Sequence, residues 1–270
     1  VTDHAPTLSI VVPALDEQDN VGPLVEQVES AVRGAGVDAE LIVVDDGSGD
    51  ATPQRLAELA ADRPWLRVLR REHRQGQSSA MFAGIQAARG AYIATLDADL
   101  QNDPAELTGM LERLRAEGAG LVQGDRSRAR QDNAVRRYAS VVGRLVRRWL
   151  LGDHVRDTGC SSRVMTAAVA RRLPLQFKGM HRFIPAYAAV LGAKIVEVPV
   201  NHRPRHSGKT KYGLGLLNRG AAGLADTFAV RWMSKRARDT SATETTASAA
   251  PEDDRGPVAA GASADAAERG

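Results

Sequence analysis

The sequence predicts an α/β fold built on a doubly wound, mostly parallel sheet. Two observations carry this. Between Leu8 and Gln123 short apolar runs alternate with stretches of helical spacing, a βαβαβαβ order that implies parallel strands covered by helices. The runs also end in polar clusters, Pro13 to Glu17, Asp45-Asp46 and Asp97 to Asp99. Such sheets bind ligands beyond the carboxyl ends of their strands, so the three clusters are expected on one rim.

Leu8 to Val12 is the first strand, and Val21, Leu24, Val25, Val28 and Val32 then recur at helical spacing. Leu41 to Val44 is a strand, followed by a helix over Thr52 to Ala61 with Ser48, Asp50 and Thr52 as cap candidates. Leu66 to Leu69 is the third strand and Ser78 to Ala88 the next helix. Tyr92 to Leu96 reads as a buried strand, Pro104 opens a helix to Ala116, and Leu121 to Gln123 is a short strand. Beyond Arg126 a basic amphipathic helix is expected over Ala134 to Leu151, then a polar turn over Asp153 to Ser162. Helices over Thr166 to Leu173 and Phe183 to Leu191, a strand over Lys194 to Val198 and a loop over Asn201 to Tyr212 follow. The last element is an amphipathic helix over Leu214 to Arg236. From Asp239 the composition cannot bury enough apolar surface to offset ordering entropy, so a disordered tail is expected.

Composition narrows the function. A chain of 270 residues, 43% of them hydrophobic, holds a substantial core, and one main domain with a tail is the default. The single cysteine, Cys160, excludes a disulfide framework and a thiolate zinc cluster and fits a reducing cytosol. No signal peptide is expected, and Leu214 to Met233, interrupted by Arg219, Asp226 and Arg231, does not read as a membrane span. The net charge of +3 hides a basic stretch from Arg126 to Arg148 in which Asp132 is the only acid, and a second run from His202 to Lys211. These surfaces suit a phosphorylated substrate or an anionic membrane. Few aromatic residues accompany the arginines, which argues against nucleic acid.

The chemistry is concentrated in Asp97-Ala98-Asp99. Two carboxylates one residue apart, where a strand gives out into a loop, can bind one hard divalent cation between protein and phosphate oxygens. The pair alone is weak evidence, because most such pairs are solvated turns or caps. The second acidic strand end at Asp45-Asp46 strengthens it.

Several segments together carry a resemblance: Val11-Val-Pro-Ala-Leu-Asp-Glu17, Val43-Val-Asp-Asp-Gly-Ser-Gly-Asp-Ala-Thr52, Asp97-Ala-Asp-Leu-Gln-Asn-Asp-Pro104, Gly124-Asp-Arg126, Arg136-Arg137, Asp157-Thr-Gly-Cys160 and Arg205-His-Ser-Gly-Lys-Thr-Lys-Tyr212. Over residues 8 to 236 the chain resembles the family 2 glycosyltransferases of the GT-A fold, a Rossmann-like doubly wound sheet. Within them it is similar to the polyprenyl-phosphate glycosyltransferases, which include dolichol-phosphate mannose synthase. The resemblance implies a flexible 1–7, a catalytic domain over 8–212, an interfacial or juxtamembrane helix over 213–238 and a tail over 239–270. It implies inverting transfer of a sugar, mannose or glucose first, from a GDP- or UDP-linked donor to undecaprenyl or dolichyl phosphate. The place would be the cytoplasmic membrane face, with a membrane-anchoring partner protein as one means of attachment.

The resemblance also assigns residues. Asp99 is a direct ligand of Mg²⁺ or Mn²⁺, with Asp97 and Gln101 completing the shell; a loop-capping amide is the other reading of Gln101. Pro13, Ala14, Glu17 and Asp45 stand where relatives contact base and ribose, with Asp97 and Ala98 beside them, while Asp46 is expected to cap the following turn. Asp16 stands where relatives often carry Asn. Arg126 and Arg136 or Arg137 suit the acceptor phosphate, since guanidinium forks bind phosphate bidentately. Arg205 and Lys211 match residues that clamp the donor diphosphate. Asp157 matches a position discussed as a base, but a phosphate acceptor is already anionic, so orienting the site is the preferred reading. The histidines show no ligand spacing, and His181, His202 and His206 are expected on surfaces or loops. Two alternatives stay open: a family 2 enzyme with a soluble or polysaccharide acceptor, for which Asp157 would be indispensable, and a non-catalytic nucleotide-sugar-binding module.

Overall fold

In the computed structural model the strands are β1 (Leu8–Ala14), β2 (Ala39–Asp45), β3 (Leu66–Arg70), β4 (Tyr92–Thr95), β5 (Leu121–Asp125), β6 (Arg163–Thr166) and β7 (Ile195–Pro199). The structure describes residues 5–127, 145, 147–152, 154–204 and 216–238. The strands form one sheet in the order β3-β2-β1-β4-β6-β5-β7. β1 pairs in parallel with β2 from Leu8 opposite Ala39 to Ala14 opposite Asp45, and with β4 on its other side. β2 with β3 and β5 with β7 are parallel too.

β6 departs from the expected pattern. It inserts between β4 and β5 and runs antiparallel to both, with Thr95 and Gln123 each opposite Arg163. The sequence reading places a turn and then a helix here. A four-residue strand with a charged first residue gives no apolar run to recognise, and its helix, α5 (Ala167–Ala170), is a single turn.

The helices α1 (Val21–Gly34), α2 (Thr52–Ala61), α3 (Gln77–Ala87) and α4 (Glu106–Glu117) connect the parallel strands. α1 buries Val21, Leu24, Val25, Val28 and Val32, the five residues whose spacing predicts it. α4 ends at Gly118, whose left-handed φ of 57° lets Gly118 and Ala119 return their N–H groups to the last turn. Because strand side chains alternate faces, Ile10 and Val12 enter one core layer with α1 and α4, and Val11 enters the other with α3. The second layer is completed by a 3₁₀ turn (Met180–Phe183) and α6 (Ile184–Val190).

At the amino-terminal end of the sheet, Ser9 donates to Glu40 Oε1 at 2.6 Å, as does the Arg89 N–H at 2.7 Å, and Arg67 donates to Oε2 at 2.6 Å. This buried network ties β1, β2, β3 and the α3–β4 turn together on the edge opposite the polar clusters.

The last helix, α7 (Leu216–Arg236), docks through Val230, which is 1% exposed, and through Arg231, which donates to the Leu150 carbonyl. Residues 145 and 147–151 are helical. The rest of the helix expected over Ala134 to Leu151, residues 205–212 of the loop expected over Asn201 to Tyr212 and the tail expected from Asp239 lie outside the described residues. No helix among the described residues is long and apolar enough to cross a membrane.

Candidate active site

The carboxyl ends of β1, β2, β4 and β5 surround a cleft of about 490 Å³. Pro13, Ala14 and Glu17 line it from β1, Asp46 from β2, Asp97, Ala98, Asp99 and Gln101 from the loop after β4, and Arg126 from β5. Arg74, Gly76, Gln77, Gly159 and Arg182 complete the wall.

The loop after β1 is laced to the loop after β2. Asp16 takes a left-handed φ of 48°, which Asp and Asn tolerate better than other residues. Its N–H donates to Ser48 Oγ, its Oδ1 accepts the Gly49 N–H, and the Glu17 N–H donates to Thr52 Oγ1, all at 2.8 Å. Gly47, with φ 78°, lies so close to the next loop that a Cβ would stand 2.9 Å from Arg74 N. Of the adjacent acids it is Asp46, not Asp45, that faces the cleft. Asp45 is fully buried, accepts the Ser48 N–H at 3.0 Å and does not line the cleft. Asp46 lines it and accepts the N–H groups of Gln75 and Gly76 at 3.0 and 2.7 Å, holding the loop that starts α3.

The loop after β4 carries backbone strain. Leu100 adopts φ 61°, a conformation costing a β-carbon-bearing residue about 1–2 kcal/mol, and burial of its side chain to 4% exposure holds it there. Asp99 Oδ1 accepts the Gln101 N–H at 3.2 Å, and Asp97 Oδ1 accepts from Gln77 Nε2 at 2.7 Å. The Gln101 amide nitrogen is directed at the Arg203 carbonyl at 3.4 Å, and the Arg203 N–H returns to Gln101 O at 2.8 Å. Gln101 Oε1 is thereby left as a donor oxygen. Among the described residues no group of three His, Cys, Asp or Glu side chains could hold a metal by itself. Two carboxylates and an amide oxygen instead fit a hard divalent ion that takes its remaining ligands from a diphosphate and water.

Across the cleft, Arg126 is held by Asp157. Its Nε lies 2.9 Å and its backbone N 3.2 Å from Oδ2, and its second terminal nitrogen 3.4 Å from Oδ1, which also accepts the Gly159 N–H at 3.0 Å. Burial alone would lower the Arg126 pKa, but the Asp157 hydrogen bond and charge outweigh it, so the guanidinium stands above its ordinary value. Gln123 is the hinge behind this pair: its amide donates to the carbonyls of Asp157 and Cys160 at 3.0 and 3.1 Å, and its Oε1 accepts from Arg163 Nε at 2.7 Å. Cys160 is buried, and burial pushes its thiol up, which suits a packing residue.

A second cleft of about 390 Å³ adjoins the first and shares Gln77, Asp97, Gly159 and Arg182 with it. Thr158, Ser161, Arg163 and His181 line the remainder. His181, expected on a surface or loop, is half-buried in the 3₁₀ turn; burial, then the charges of Arg163 and Arg182, push its pKa down to about 3.

Of the sequence-predicted residues, Pro13, Ala14, Glu17, Asp97, Ala98, Asp99, Gln101 and Arg126 meet in the first cleft. Asp157 stands behind Arg126, and Asp45 lies beneath the wall. Arg136, Arg137, Arg205 and Lys211 lie outside the described residues. Sequence reading missed Gln77, Arg163, His181 and Arg182. Only the His-Arg pair just after Gly179 offered a signal, a weak one.

The family model for Glycosyl transferase family 2 matches residues 9–176. Among curated proteins, the chain is 38% identical over 210 residues to dodecaprenyl-phosphate galacturonate synthase of Rhizobium johnstonii, covering 77% of this chain and 62% of that protein. It is 36% identical over 212 residues to undecaprenyl-phosphate 4-deoxy-4-formamido-L-arabinose transferase of Edwardsiella ictaluri, covering 77% and 63%. The chain thus spans roughly three fifths of the length of these relatives. Among solved structures, glucosyl-3-phosphoglycerate synthase of Mycobacterium tuberculosis with Mn²⁺, UDP and glucosyl-3-phosphoglycerate superimposes with a TM-score of 0.59 at 21% identity, over 87% of this chain and 82% of that one. A mannosyltransferase of Pyrobaculum calidifontis with GDP-Man and Mn²⁺ gives 0.61 at 18%, over 88% and 66%. At these identities the likeness is one of fold, the GT-A arrangement.

Proposed function

This chain belongs to glycosyl transferase family 2, and from that premise we propose that it transfers a sugar from a GDP- or UDP-linked donor to a polyprenyl phosphate, with inversion. The observation that carries the reading is the pairing of opposite chemistries across one cleft. Asp97, Asp99 and Gln101 offer hard oxygens on one wall, and Arg126, fixed by Asp157, offers a guanidinium on the other. The names of the two relatives support a polyprenyl phosphate as acceptor.

Asp97, Asp99 and Gln101 would hold Mg²⁺ or Mn²⁺, which when bound supplies Lewis-acid neutralisation of the departing diphosphate. Pro13, Ala14, Glu17 and Asp46 form the wall that receives the nucleoside. Carboxylates there accept hydrogen bonds from base N–H groups or ribose hydroxyls. The acceptor oxygen of a phosphate monoester is already anionic near neutral pH, so alignment and charge neutralisation are the main tasks left to the protein. Arg126 performs them, and Asp157 positions Arg126 rather than taking a proton. Arg136 or Arg137 and the Arg205–Lys211 segment supply further cations to acceptor and diphosphate in this reading.

α7 presents Leu224, Phe228 and Trp232 outward, 47%, 57% and 58% exposed, with Arg236 stacked 4.6 Å from the Trp232 ring centroid. Trp149 is 80% exposed. Apolar residues at four-residue spacing flanked by basic ones fit a helix lying in a membrane interface, and in this reading the reaction runs at the cytoplasmic face of a membrane, with the chain on the lipid or on an anchoring partner.

The test is transfer of radiolabel from GDP- and UDP-sugars to undecaprenyl phosphate in vesicles with Mg²⁺ or Mn²⁺. Label extractable into organic solvent, and lost in Asp99→Ala, is the expected result. Metal-dependent donor hydrolysis with no labelled lipid would move the acceptor elsewhere.

A further inference from the structure

Gln77 is the first residue of α3, and its side chain reaches away from that helix. Its Nε2 donates to Asp97 Oδ1 at 2.7 Å, 20 residues along the chain in the loop after β4. A carboxylate only accepts, so the amide turns its nitrogen to Asp97. The neighbours of Gln77 fix where that amide stands. On one side the Gly76 N–H donates to Asp46 Oδ2 at 2.7 Å, with Gly76 at a φ of 94°. On the other, Ser78 Oγ lies 2.7 Å from His181 Nδ1 and accepts the His181 N–H at 3.2 Å. Ala80 and Met81 follow in the core. The start of α3 is thus tied to the end of β2, to the 3₁₀ turn and to the core, and Gln77 reaches Asp97 from a fixed base.

Asp97 needs such a hold. The positive charges of Arg126 and Arg163 both act on it, and a cation in the first cleft competes with them for the same carboxylate. A lysine or arginine in place of Gln77 would hold the carboxylate but repel the ion. A neutral amide engages one oxygen, leaves the negative charge of the site to the metal, and leaves the other oxygen as its ligand.

We infer that Gln77 is a positioning residue for the divalent cation: it holds Asp97 by Oδ1, so that the carboxylate is presented to the ion rather than drawn onto Arg126 and Arg163. Hydrogen-bond partners of this kind orient ligating side chains, and losing one costs about 10–100-fold in metal affinity. The inference rests on the metal-dependent transferase reading and adds to it a residue that acts through Asp97.

The experiment measures by calorimetry how far Mn²⁺ tightens the binding of UDP or GDP, in wild type, Gln77→Met, Asp97→Ala and the double variant. Methionine keeps the length of the side chain and removes the donor, and Gln77 is only half-buried, so the fold should survive the change. Gln77→Met should cut the gain from Mn²⁺ about ten-fold and leave metal-free nucleotide binding within about two-fold of wild type. In the Asp97→Ala background it should do nothing more, because the group through which it acts is gone. An undiminished gain from Mn²⁺ overturns the inference. So does nucleotide binding weakened equally with and without the metal, which would make Gln77 a support of the loop held by Asp46. A further loss in the Asp97→Ala background also overturns it, since Gln77 would then act on the ion or the nucleotide directly. These three results leave the metal-dependent reading standing. A wild type in which Mn²⁺ tightens neither nucleotide would overturn that reading and the inference together.

Discussion

Arg126 and Asp157 meet at the carboxyl end of β5 with Nε and Oδ2 2.9 Å apart, and their side chains are only 10% and 7% exposed. Both carboxylate oxygens are engaged, one by two nitrogens of Arg126, the other by Arg126 and the Gly159 N–H. A carboxylate so occupied is better placed to aim a guanidinium than to collect a proton from an acceptor.

Asp157→Asn tests that directly. Misplacing Arg126 should lower turnover about 100-fold, and leaving a buried cation unpaired should cost about 3 kcal/mol of stability. The acidic limb of the pH–rate profile should keep its position. Its disappearance in the variant would make Asp157 the base.

Asp99→Ala removes one of the two carboxylates offered to the cation. Loss of about 1,000-fold in transfer is expected, since charge neutralisation of this kind contributes several kcal/mol. Donor nucleotide should then bind equally with and without Mn²⁺ in calorimetry. Retained metal dependence would place the ion elsewhere.

Gly47→Ala should disturb the donor loop without touching a ligand. Its φ of 78° and the 2.9 Å approach to Arg74 N leave no room for a methyl group. A stability loss of about 1–2 kcal/mol is expected from the backbone conformation alone, with KM for the donor raised more than kcat is lowered. An unchanged melting temperature would contradict the loop geometry.

Much of this arrangement is legible in the sequence because it depends on local pattern. The strand at Tyr92 to Leu96 has to end, and whatever follows it falls on the ligand-binding rim. What was not legible depends on distance along the chain or on one step of register. Asp45 and Asp46 have the same capping chemistry, both are buried, and only the end of β2 decides which faces the cleft. Arg163 hid β6, since a charged residue at the start of a four-residue run signals a surface until Gln123 and Thr158 are seen around it. His181 and Ser78 are 103 residues apart, so no periodicity could pair them.

Glu40 gives the opposite end of the sheet a pH dependence. Burial raises its pKa, but hydrogen bonds from Ser9, Arg67 and the Arg89 N–H, with the Arg67 charge, bring it below the ordinary 4.5. A carboxyl depressed in the folded state contributes stability that is complete above the unfolded value and lost as pH falls through the folded one. Wild type should therefore lose stability more steeply below 4.5 than Glu40→Gln does. The variant should start about 1–3 kcal/mol less stable at neutral pH. Parallel acid-denaturation curves would contradict this.

Phe228→Ser with Trp232→Ser should weaken sedimentation with anionic vesicles about ten-fold or more, from the apolar area no longer inserted. Nucleotide binding in solution should stay as it was. Vesicle binding unaffected by the pair would assign the exposed stripe of α7 to another use.

The central claim, a sugar passed to a lipid phosphate, is tested most directly by mass spectrometry of undecaprenyl phosphate after incubation with donor and Mn²⁺. The expected result is a lipid heavier by one glycosyl residue, its phosphate retained, absent with Asp99→Ala. Unaltered lipid, with the donor consumed and its sugar recovered on water or on a soluble acceptor, would contradict it.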